Sequence, residues 1–158
     1  MEEETIKEEQ FVRYEDSVIR ENILAYLEKY PTLYSYFGES FLLNILKDYY
    51  NREDANIPTF QIAYFLAWSY VEKYTLFFEE LEAMLAFFLS EPHLLEYITK
   101  PKIRNKLKSR EEVDFHSVWS EIIFAYFLHK NGYKIIKIGQ TKGEARERAD
   151  IITDKGVF

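Results

Sequence analysis

Between Thr59 and Ser90 the chain reads TFQIAYFLAWSYVEKYTLFFEELEAMLAFFLS, a long run dense in aromatic side chains. A stretch this apolar is driven out of water and has to bury a face, which limits the fold to one built around packed helices. As a single helix capped by Thr59 it would extend about 45 Å. The spacing equally allows two helices broken near Lys73–Thr75. Its most apolar segment, IAYFLAWSYV at 62–71, is about half the roughly 20 residues that a bilayer requires. Glu72 and Lys73 close it, so the run is not a membrane span. Its aromatics read as core, or as a surface buried against a partner, and not as a platform for stacked bases.

The flanking segments follow the same period. DSVIRENILAYLEKY sets Val18, Ile19, Ile23, Leu24 and Leu27 on one stripe, and Pro31 ends it. ESFLLNILKDYY is a second helix, with Ser40 as its cap and Phe41, Leu42, Ile45 and Leu46 facing inward. NREDANIP is a loop, and Pro92 suits the first turn of the helix PHLLEYITK.

Charge is unevenly spread over the 158 residues. Residues 1–100 hold nineteen acids and eight bases, net −11, while 101–158 hold eight acids and twelve bases, net +4. The total of −7 argues against a general polyanion binder, yet the C-terminal third could meet a phosphate backbone locally. Five of its bases, Lys102, Arg104, Lys106, Lys108 and Arg110, lie in PKIRNKLKSR, with Lys142, Arg146 and Arg148 further on. These eight are the candidate nucleic-acid contacts, although a run of this kind is more often a solvated helix face or a linker. The absence of cysteine excludes disulfides, thiolate metal sites and a cysteine nucleophile. The acidic start, MEEETIKEEQ, is no secretory signal. Together these features read as a soluble cytoplasmic protein with no membrane partner, and a composition rich in Tyr, Ile, Glu and Lys would suit a thermophile.

After Arg110 the pattern changes. DFHSVWSEIIFAYFLHKNG reads as a helix capped by Asp114 and stopped by Gly132, with Val118, Ile122, Ala125 and either Leu128 or His129 on one stripe. His116 and His129 stand about 3.6 turns apart on it and cannot share a metal. YKIIKI at 133–138 is a strand, GQTKGEARER a polar loop, ADIIT a second strand, and Asp154-Lys155-Gly156 a turn into a third. The expected organisation is therefore an α-helical domain over 1–110 and an α/β unit over 111–158. No phosphate-cradling glycine loop is present.

This last third carries, in order, an acid near the start of a helix (Glu121), a strand after Asn131-Gly132, and an acid opening the next strand (Asp150). In that order it resembles the PD-(D/E)xK nuclease superfamily, which includes archaeal Holliday-junction resolvases and restriction-type enzymes. Ala149 stands where the family usually has proline. The resemblance covers about 113–158. It implies a mainly α N-terminal region followed by an incomplete α/β, restriction-endonuclease-like core. It also implies a Mg²⁺- or Mn²⁺-dependent nuclease acting on nucleic acid, DNA foremost. Asp150 would be a direct metal ligand, and Glu121 a catalytic acid supporting the same metal. Two carboxylates and a carbonyl suffice for a hard cation that keeps its waters.

The family's Glu-x-Lys strand would follow Val157-Phe158, and no such pair occurs there. The chain is expected to be an N-terminal piece of a longer nuclease, inactive or weakly active by itself. A sheet stopping at Phe158 offers an unpaired edge, expected to associate with a second copy or a protein partner. Two plainer readings stay open: Glu121 as an acid favoured by the helix dipole, and Asp150 as a strand acid paired with Arg146 or Arg148. On these, the protein would be a non-catalytic helical interaction module with a degenerate nuclease-like scaffold.

Overall fold

The computed structural model describes residues 17–50, 62, 66, 69, 70, 73, 75–140 and 149–158. Seven helices come first among them: α1 (Ser17–Leu27), α2 (Pro31–Phe37), α3 (Glu39–Tyr50), α4 (Leu76–Ser90), α5 (Pro92–Ile98), α6 (Pro101–Leu107) and α7 (Glu112–Lys130). Three strands follow, β1 (Ile135–Gln140), β2 (Ala149–Thr153) and β3 (Gly156–Val157). The protein is thus mainly helical with a small sheet, as the sequence pattern predicts at that level. None of the described helices is long and apolar enough to cross a membrane.

Proline and glycine, more than side-chain caps, set the helix limits. Pro31, Pro92 and Pro101 each open a helix, where the missing N–H is no loss and the fixed φ already fits. Pro31 therefore begins α2, after α1 has ended at Leu27. Ser40 caps nothing: α3 starts at Glu39, directly after Gly38. With φ 85° Gly38 closes α2 by donating its N–H to the Tyr34 carbonyl at 2.9 Å, a conformation that costs glycine little. Asp114 likewise lies inside α7, sharing the first turn with Glu112, where carboxylates face the positive end of the helix dipole.

The long aromatic run breaks at its predicted place. Ile62, Leu66, Ser69 and Tyr70 are helical, Lys73 takes φ 63°, and Thr75 leads into α4. The Thr59 cap and the loop NREDANIP lie outside the described residues.

A single apolar core runs from Ile23 to Ile151, with Phe37, Phe78, Phe88 and Phe115 buried in it. α4 packs on α2, α5 and α7, while α6 packs on α7. Side chains from both sides of residue 110 therefore share one interior. Glu82 fastens α4 to α2 by accepting the backbone N–H groups of Thr32 (2.9 Å) and Leu33 (2.8 Å).

α7 ends in a Schellman turn. Gly132, at φ 80°, donates to the His129 carbonyl, and Tyr133 donates to that of Leu128. The chain reverses there into β1. The sheet is an antiparallel meander of order β1-β2-β3, in which Ile138 pairs with Ile151 and Gly139 with Asp150. Its first strand begins two residues later than the spacing predicts and carries an irregularity at Ile136. Ile135, Ile138, Ile151 and Thr153 point into the core, with β1 packed on α5 and α7, and β2 on α7. The turn Asp154-Lys155 is tied back to the α7–β1 junction. Asp154 exchanges two hydrogen bonds with the Lys134 backbone, and Lys155 Nζ donates to the Gly132 carbonyl.

Candidate functional site

Glu121 lies on α7 among the core residues Val118, Ile122 and Ala125, and is itself half-buried. Its Oε2 accepts a hydrogen bond from the hydroxyl of Tyr97 on α5. Among the described residues that hydroxyl is its partner, and no basic side chain forms an ion pair with it. Tyr97 is 4% exposed. Burial first, then the Glu121 hydrogen bond and charge, push its hydroxyl well above the ordinary tyrosine range. In this bond the Tyr97 hydroxyl is the donor and the carboxylate the acceptor.

Next to it, Tyr36 of α2 donates to the Ile98 carbonyl at 2.8 Å. The Arg104 guanidinium of α6 lies 4.9 Å over the Tyr36 ring, and its buried Nε has no hydrogen-bond partner among the described residues. Burial pushes the Tyr36 hydroxyl up to about 12, outweighing the opposing pull of Arg104. Three helices thus bring Tyr36, Tyr97 and Arg104 into one region of the core.

The two tyrosines give the fold an alkaline limit. Unfolded, both hydroxyls ionise near pH 10, whereas the folded chain retains their protons to higher pH. Their stabilisation is complete below about pH 10 and is lost above it, by about 1.4 kcal/mol per pH unit for each hydroxyl. Urea midpoints followed from about pH 9 to 11.5 are expected to fall more steeply in the native chain than in the Y36F/Y97F variant. Equal slopes would contradict this.

The backbone of Asp150 stands second in β2, opposite Gly139 and one residue before Ile151, whose side chain is in the core. Among the described residues no group of three or more His, Asp or Glu side chains gathers to hold a metal. An ion at Glu121 would rest on one or two carboxylates, a backbone oxygen and water, a donor set that suits Mg²⁺ or Mn²⁺. The half-buried carboxylate fits such an ion. One oxygen is fixed by Tyr97, and Oε1 has no hydrogen-bond partner among the described residues.

The basic run is largely engaged in packing. Arg104 of α6 and Lys108, the residue that ends that helix, lie over the rings of Tyr36 and Phe41. Burial foremost, and then Arg104, lowers the Lys108 pKa. Lys106 reaches Asp114 at 3.7 Å and Ser117 at 3.2 Å. Lys102 and Arg110 are exposed. Lys142, Arg146 and Arg148 lie outside the described residues.

Sequence reasoning missed Tyr97 and Glu82. The one available signal was a polar group on an apolar stripe: Glu82 sits between Leu81 and Leu85, and Tyr97 shares the buried stripe of a short helix with Leu94 and Ile98. Compared with protein-family models, curated proteins and solved structures, the chain matches none.

Proposed function

We propose that α7 and the β meander form the metal-binding half of a phosphodiesterase centre of the PD-(D/E)xK kind, acting on nucleic acid. Asp150 is its direct ligand and Glu121 its supporting carboxylate. The observation that carries this reading is the connected order of elements. A helix bearing Glu121 turns at Gly132 into β1, and β2, with Asp150 at its start, pairs back along β1 before a two-residue turn.

Distances along the chain favour a common level. Glu121 stands nine residues before the end of α7, about 14 Å back along its axis, and Gly139 stands four residues into β1, about 13 Å along the strand. Position 150 is paired with Gly139 on the neighbouring strand. Ile138 and Ile151 fill the space between α7 and the strands. An ion common to both acids would therefore sit at the rim of the sheet, beyond Ile151.

A divalent cation there would polarise a phosphate and lower the pKa of a bound water. The chain's own part is to supply the oxygen donors, hold Glu121 by its Tyr97 hydrogen bond, and exclude water from the Ile138–Ile151 side. Titration of the chain with Mn²⁺, followed by electron paramagnetic resonance, tests the reading. Saturable binding that weakens at least tenfold in D150N is expected. Binding unchanged by D150N would overturn the proposal.

A further inference from the structure

We infer that Tyr97 is a positioning residue for this centre, so that the helical region is a working part of it and not an appendage. The inference rests on the reading of Asp150 and Glu121 as a metal site. A phenylalanine at 97 would fill the same space beside Phe88, whose ring centroid lies 6.4 Å from that of Tyr97. What the hydroxyl adds is its bond to Glu121. A tyrosine hydroxyl and a carboxylate brought half out of water are rarely worth their desolvation as structural devices alone, since apolar replacements of the same shape are often neutral or better.

Glu82, a structural carboxylate, is held by two backbone N–H groups, whereas the partner of Glu121 among the described residues is a side-chain hydroxyl. No basic side chain among the described residues neutralises Glu121. Arg104, the cation built into the same region, is turned onto Tyr36 instead. Tyr97 engages one oxygen of the carboxylate, Oε2. The Glu121 rotamer is fixed from the side away from solvent, as the outer partners of metal ligands do. Tyr97 comes from α5, which also packs on β1. One short helix thus sets both the acid and the strand against which Asp150 is registered.

The test is a double-variant cycle read by Mn²⁺ affinity on the whole chain, using Y97F, E121Q and both together, with D150N alongside. Y97F deletes one oxygen, and its thermal unfolding checks that the fold is retained. Loss of a group that orients a ligand typically weakens metal binding about 10–100-fold, and Y97F is expected to fall in that range. If Tyr97 acts through Glu121, the double variant binds no more weakly than E121Q alone, because the two losses are one. A purely structural tyrosine would give additive losses or none. E121Q keeps an oxygen for Tyr97 while removing the charge, and is expected to weaken binding at least as much as Y97F. If D150N abolishes binding while Y97F changes it less than about twofold, the role of Tyr97 is overturned and the metal site stands. If D150N itself changes nothing, the metal site falls.

Discussion

Replacing Glu82 with alanine is expected to destabilise the fold by about 3–6 kcal/mol, since hydrogen bonds to a charged group contribute about 1.5–3 kcal/mol each and two are lost together. The carboxylate accepts the N–H groups of Thr32 and Leu33 in the first turn of α2. α2 has no cap of its own there, because Tyr30 precedes Pro31 and makes no side-chain cap bond. A seven-residue helix is marginal by itself, so its order depends on this clamp from α4. E82Q keeps an acceptor but loses the charge, and should fall between the native chain and E82A. Urea unfolding measures both. A loss under about 0.5 kcal/mol for E82A, the scatter of ordinary surface changes, would show that the clamp does not hold α2.

Phe88→Ala is expected to cost about 3–5 kcal/mol, the usual cost of emptying a buried phenylalanine site. Phe88 is fully buried between the ring of Phe87 and that of Tyr97. The informative part is where the loss is felt. Because one core runs from Ile23 to Ile151, hydrogen-exchange protection should fall by the same factor at α4 amides and at the paired strand amides of Ile138 and Ile151. Protection of the sheet unaffected by a cavity in α4 would mean that the two regions unfold separately.

Much of the helical part was legible in the sequence because it rests on local rules. Apolar spacing, prolines at first turns and Gly132 after α7 each act within a few residues, and the break at Lys73 falls where charge interrupts the aromatic run. Ser40 and Asp114 misled as caps because Gly38 and the preceding turn already set those starts. What could not be read is long-range. Glu82 meets Thr32 across fifty residues, and Tyr97 meets Glu121 across twenty-four. No local pattern encodes either pairing. The basic run shows the same limit: its charge is countable, but the rings of Tyr36 and Phe41 that receive Arg104 and Lys108 come from α2 and α3. Of the candidate site, residue types and order were legible. The hydroxyl that holds Glu121 was not.

The account stands on Glu121 and Asp150 sharing an ion. The most direct measurement is the position of Mn²⁺, located by anomalous scattering in crystals of the chain soaked with the metal. The account predicts one ion at the β1–β2 rim beyond Ile151, about 2.1–2.2 Å from an Asp150 oxygen and bound or water-bridged to Glu121, with the two carboxylates about 4–8 Å apart. Carboxylates on opposite faces of the sheet, or more than about 12 Å apart with no ion between them, would contradict it, since no single ion links groups that distant even through water.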